Sequence, residues 1–138
     1  MRALLDTNII MDALQEREPF DIPAKEILRH GQDGALTCLF TANAVTDIFY
    51  LYSRARDVQS AKAALEFLLT QYGVLPVAGE DCTQALSFPI DDFEDALVIA
   101  CAEKAGIDYI VTRDEDFLQS ASPVKIISPG KLLDLISQ

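Results

Sequence analysis

With 138 residues, half of them hydrophobic, the chain has the size of one ordinary domain and enough apolar material to bury a core. Eleven basic against 22 acidic residues leave a formal net charge of −11, which argues against a broad basic surface for nucleic-acid phosphates, although a local cluster can differ from the sum. Three scattered cysteines, one histidine and the lack of an apolar run of about 18 residues exclude a disulfide framework, a histidine-based zinc site and a membrane-spanning helix.

The first stretch, "MRALLDTNII", is not expected to be a signal peptide, because Asp6, Thr7 and Asn8 interrupt its apolar run. A soluble, cytoplasmic, single-domain protein over residues 1–138 is the expectation. Residues 3–6 read as a short strand and 8–15 as a helix. A second helix is expected over 21–31, with Asp21 near its start, Gly31 past its end and His30 in its last turn. Residues 35–40 read as a strand, followed by a helix over 41–55 with Thr41 as cap. Another helix is expected over 57–73, capped by Asp57 and stopped by Gly73. A short or peripheral strand at 74–77 carries Pro76. Then come helices over 80–88 and 91–106, strands at 108–112 and 124–128, and a last helix over 129–137 with Pro129 in its first turn. Each cysteine, Cys38, Cys82 and Cys101, is expected to pack as a small hydrophobe.

Strands alternating with helices imply a parallel sheet covered on both faces. In such sheets ligands bind beyond the carboxyl ends of the strands. Acids cluster in those places. Asp6 ends the first strand, where it could equally cap the next helix. Asp114 and Asp116 follow the strand ending at Thr112. Asp95 lies a turn beyond the capping candidates Asp91 and Asp92, on a face shared with Ile99 and Ala102, whereas Glu94 points elsewhere and reads as solvated. Asp47 is six residues past Thr41, beyond any capping role and at the edge of an apolar stripe. It should be solvated, paired with Arg54 seven residues on, or a ligand. Asp12 reads as an ordinary exposed helix acid.

Four carboxylates from four segments would repel one another unless a cation joined them. Oxygen-only donors suit Mg²⁺ or Mn²⁺, which can polarise a phosphoryl oxygen and lower the pKa of a bound water. No side chain is an obvious covalent nucleophile. Hydrolysis of a phosphodiester by metal-activated water fits this inventory best.

The segments "LLDTNIIMD", "TANAVTDIFY", "DFEDALVIACAEKAGIDYIVTRDEDF" and "VKIISPGKLLDLI", in that order, resemble the PIN-domain family, and within it the VapC-like toxins of type II toxin–antitoxin modules. The resemblance implies a three-layer α/β/α fold with a central, mainly parallel five-stranded sheet. It implies an Mg²⁺- or Mn²⁺-dependent endoribonuclease, an antitoxin partner and, often, a homodimer. The family's acids fall on Asp6, Asp47, Asp95 and Asp114, with Asp116 as a frequent additional one; Asn8 and Thr112 match the supporting polar residues. The second position is more commonly Glu, and here it is the shorter Asp47. Arg113 and Arg54 are candidates for holding flanking RNA phosphates. A non-catalytic module binding a cation or a basic partner is the competing expectation. Phe49, Tyr50 and Phe67 serve equally well as core or as interface.

Overall fold

Five short strands form one fully parallel sheet in the computed structural model of the chain, which describes residues 1–138. β1 (Arg2–Leu5) is followed by helices α1 (Thr7–Leu14) and α2 (Asp21–Gln32). Then come β2 (Thr37–Thr41), α3 (Ala42–Ala55), α4 (Val58–Gln71), β3 (Gly73–Leu75) and α5 (Gly79–Ala85). α6 (Phe93–Ala105), β4 (Tyr109–Val111), α7 (Glu115–Leu118), β5 (Lys125–Ile127) and α8 (Pro129–Ile136) complete the chain. The strand order is β3-β2-β1-β4-β5, so β1 is central, with Leu4 opposite Leu39 on one side and Ile110 on the other. Chain order reverses direction across β1, and at such a switch point the carboxyl ends of β1 and β4 are where a ligand is expected.

Alternation along the strands separates two cores. Ala3, Leu5, Cys38, Phe40 and Val111 pack with Ile9 and Ile10 of α1, Ile27 of α2, Ile48 of α3, Leu68 of α4 and Leu132 of α8. Leu4, Leu39 and Ile110 face the other way, onto Val98, Ile99 and Ala102 of α6 and Phe117 of α7. Residues Ala96–Ala102 are all buried, because α6 lies between the sheet and α5. This is the α/β/α architecture expected. No helix is long and apolar enough to cross a membrane.

Local signals set most boundaries. Asp57 accepts a bond from Ser60 N (2.7 Å) as the cap of α4, and Gly106 ends α6 in the left-handed conformation, φ 67°. Three expectations fail. Gly31 does not follow α2 but lies inside it. Gly73 does not stop α4, which ends before Tyr72; Gly73 starts β3. The single-turn α7 has no counterpart among the expected elements. Cys38 and Cys101 are buried, and burial pushes their thiols up to about 12 and about 11; Cys82 is partly exposed. Tyr50 and Phe67 are exposed and Phe49 is partly so, which leaves an apolar surface on α3 and α4.

Candidate active site

Asp6 leaves the end of β1 in an extended conformation and becomes the N-cap of α1, with its Oδ1 accepting from Thr7 N at 2.8 Å. Its two readings, cap and site acid, are therefore one position. Its other oxygen, Oδ2, accepts from Thr112 Oγ1 at 2.7 Å and from Asn8 Nδ2 at 3.3 Å. Thr112 is fully buried just past β4, and its hydroxyl oxygen accepts from Asp114 N (3.1 Å) and Asn8 Nδ2 (3.3 Å). One threonine hydroxyl thus joins the carboxyl ends of two adjacent strands. Asp114 in turn caps α7, accepting from Asp116 N at 3.0 Å.

α6 approaches the same rim with its N-terminus. Asp92 caps it and accepts from Asp95 N at 3.1 Å, so Asp95 stands in the first turn and not one turn deeper. The positive end of the helix would hold the Asp95 carboxyl low. Instead it is pushed up to about 7, first by burial and then by the charges of Asp92, Asp6, Asp114 and Glu94. Asp6 is also raised. Burial is the main cause; the bonds from Thr112 and Thr7 oppose it, and Asp114 and Asp92 add to it. These carboxylates are close enough to disfavour one another's ionisation.

Asp47 reaches the group through Glu94. Partial burial raises the Glu94 carboxyl, and the charge of the neighbouring Asp47 raises it further, followed by Asp6 and Asp92. Glu94 is exposed, as helical spacing suggested, yet it stands near enough to Asp47, Asp6 and Asp92 for their charges to reach its carboxyl. In the first turn of α6, beyond the sheet edge, side chains on two faces can reach one rim. Glu94 also lines a narrow pit with Asp6, Thr7 and Asn43. An open cleft of about 440 Å³ beside it is lined by Asp91, Asp92, Asp95, Asp114 and Asp116.

Three charge assignments need correction. Arg54 does not pair with Asp47; it donates to Tyr50 Oη at 3.0 Å and lies over that ring, 5.4 Å from its centre. Asp12 is not exposed: its side chain is 1% accessible. It accepts from Arg113 Nε (2.6 Å) and Nη2 (3.0 Å), so Arg113 is committed to a carboxylate and not free for a phosphate. Ile9, Ile10, Met11 and Ala13 surround Asp12 in sequence, and that all-apolar setting was the available signal that it is buried. Its partner, 101 residues away, left no local sign.

A hard cation suits this donor set. The acids are oxygen ligands, their mutual repulsion is unrelieved, and Asn8 Oδ1 is buried without a hydrogen-bond partner. No three of these carboxylates already converge on one ion position. Water would have to complete the coordination, as is usual for Mg²⁺.

Residues 2–116 match the family model described as PIN domain. The chain is 25% identical over 114 residues to Ribonuclease VapC23 of Mycobacterium tuberculosis, covering 80% of this chain and 90% of that protein. Its fold is similar to that of DNA-bound VapBC from Salmonella typhimurium, with a TM-score of 0.72 at 13% identity, covering 94% of this chain and 98% of that one. It is also similar to VapC20 of M. tuberculosis, described as a Sarcin-Ricin loop cleaving toxin. That TM-score is 0.68 at 20% identity, covering 83% of this chain and 92% of the other.

Proposed function

We propose, from the premise that this chain belongs to the PIN-domain family, that it is a metal-dependent endoribonuclease and the toxin of a toxin–antitoxin pair. The observation that carries the reading is that Asp6, Asp95 and Asp114 stand near one another at the carboxyl edge of β1 and β4, with the Asp95 carboxyl raised to about 7 by burial and then by the charges of Asp92, Asp6 and Asp114. The similarity to a ribonuclease over most of both chains supports the reaction class, and the likeness to VapBC structures supports an antitoxin partner.

Asp6, Asp95 and Asp114 would hold Mg²⁺ or Mn²⁺, with Asp47 and Asp116 acting at longer reach. When bound, the cation supplies a Lewis acid for a phosphoryl oxygen and a lowered pKa for water. The chain's own part is to hold the acids. Thr112 and Asn8 fix the Asp6 carboxylate, and Asp92 fixes the first turn of α6. After burial, the charge of Asp47 is what most raises the Glu94 carboxyl at this rim. Arg54 is exposed on α3, roughly 10 Å along the helix from Asp47, and is the remaining candidate for a flanking phosphate. The exposed apolar residues Tyr50 and Phe67 suit a homodimer contact, and a cytoplasmic site of action belongs to the same reading.

RNA cleavage should require Mg²⁺ or Mn²⁺ and fall at least about 100-fold in Asp6→Asn and Asp95→Asn, the upper end of what even outer-shell partners of a metal cost. Cleavage persisting in EDTA would refute this. A non-catalytic module is the second reading, favoured by the short Asp47 and the incomplete convergence of the acids. It predicts cation binding by the same residues with no RNA turnover.

A further inference from the structure

We propose that Asp12 is a positioning residue for the candidate site: its buried carboxylate holds the Arg113 guanidinium, and thereby the turn that carries Thr112 and Asp114. The functional consequence rests on the nuclease reading above, but the positioning itself does not.

The geometry is that of a two-pronged grip. Both oxygens of Asp12 are used, Oδ2 by Arg113 Nε at 2.6 Å and Oδ1 by Arg113 Nη2 at 3.0 Å. Such a fork fixes the orientation of the guanidinium plane as well as its distance, which an ammonium would not do. One face of that plane lies over the Phe20 ring, 4.0 Å from its centre, and Arg17 Nη1 stands 3.6 Å from Asp12 Oδ1. Arg113 is therefore restrained from its edge and from its face.

What this restrains follows from the chain. Arg113 sits between Thr112, which bonds Asp6, and Asp114, whose amide bonds Thr112. α1 thus grips the turn after β4 at two places. Its N-terminus holds Thr112 through Asp6 and Asn8, and Asp12 holds Arg113 farther along the helix. The Thr112 N–Ile127 O bond and the buried Phe117 hold the two ends of the turn, and the grip on Arg113 acts between them. That grip sets the rotation of the segment between those ends, and with it the direction of the Asp114 carboxylate. Stability alone gives little reason for the arrangement. A buried ion pair loses solvation that its attraction often only offsets, and an apolar pair of similar volume would fill the space as well.

The test uses Asp12→Asn and Arg113→Lys in the full chain. Hydrogen exchange of the metal-free protein should quicken at least tenfold across residues 112–118, with the amides of β1 and β2 unchanged. Mn²⁺ affinity, read from the free-ion resonance signal, should fall at least tenfold. In RNA cleavage kcat should fall while KM stays within twofold. If one variant does not fold, the other decides. Folded variants that keep wild-type exchange at 112–118 and wild-type Mn²⁺ affinity overturn the proposal, even if their melting temperature drops. If the wild-type protein itself neither binds Mn²⁺ nor cuts RNA, the nuclease reading fails, and the exchange measurement still decides the positioning.

Discussion

The hydroxyl of Thr112 gives one hydrogen bond, to Asp6, and receives two, from the Asp114 amide and Asn8. Thr112→Val keeps the shape and removes all three. Because the site is buried, the Asp114 amide and the Asn8 side chain lose a partner that water cannot readily replace. We expect a cost of about 1–3 kcal/mol in urea unfolding and a loss of metal affinity of about 10–100-fold. The Asp6 carboxyl, which that hydroxyl holds down, should rise further. A second expectation concerns Asp95. A carboxyl raised in the folded chain holds its proton more tightly there than when unfolded. Its contribution to stability is complete below the unfolded value, about 4, and is lost as pH climbs through about 7. Metal-free protein should therefore lose stability over that interval, and Asp95→Asn should flatten the loss. An equal slope in both proteins would show that Asp95 is not the group responsible. Asp6, Asp95 and Asp114 were legible in the sequence because each follows a strand or opens a helix, and Asp47 because an acid in the middle of α3 has no capping role. Their partners were not: Asp12 with Arg113, and Glu94 with Asp47, are joined by tertiary packing that no local spacing records.

Among the elements, α2 shows how packing can override a local signal. Glycine near a helix end usually marks its stop, and Gly31 was read that way. The helix instead runs on to Gln32, and it is Gly34, at φ 83°, that supplies the left-handed turn. Gly31 sits where a Cβ would come 2.8 Å from Cys38 Sγ and 3.0 Å from the Tyr72 ring. Gly31→Ala sets a gain in helix propensity of about 1 kcal/mol against overpacking of about 1–3 kcal/mol. Since the obstacles are core side chains, we expect net destabilisation in denaturant unfolding. A more stable variant would mean that Cys38 and Tyr72 yield freely. α7 escaped the sequence reading for a different reason: its four residues are too few to show a period, and Asp114, its cap, already had another explanation. The layers and the strands were readable, because the strands are short apolar runs and α6 is apolar all round.

Across the whole molecule, a net charge of −11 and a rim of mutually repelling acids act in the same direction. Salt should stabilise the metal-free protein by general screening, without saturation at low concentration. Mg²⁺ or Mn²⁺ should do so differently, with a melting temperature that rises with the logarithm of metal concentration once the site begins to fill. Asp6→Asn with Asp95→Asn should keep the first response and lose the second. Identical behaviour of KCl and MnCl₂ at equal ionic strength would mean that no specific cation site exists.

The central position of β1 has a temporal consequence. The Asp6–Thr112 bond links residues 106 apart, and the parallel neighbour on that side of β1 is β4. During synthesis the first strand waits beside an open edge until the fourth has left the ribosome. A nascent chain therefore carries Asp6 and Asp47 long before Asp114 is there to join them, and the rim is completed only when most of the protein has been made.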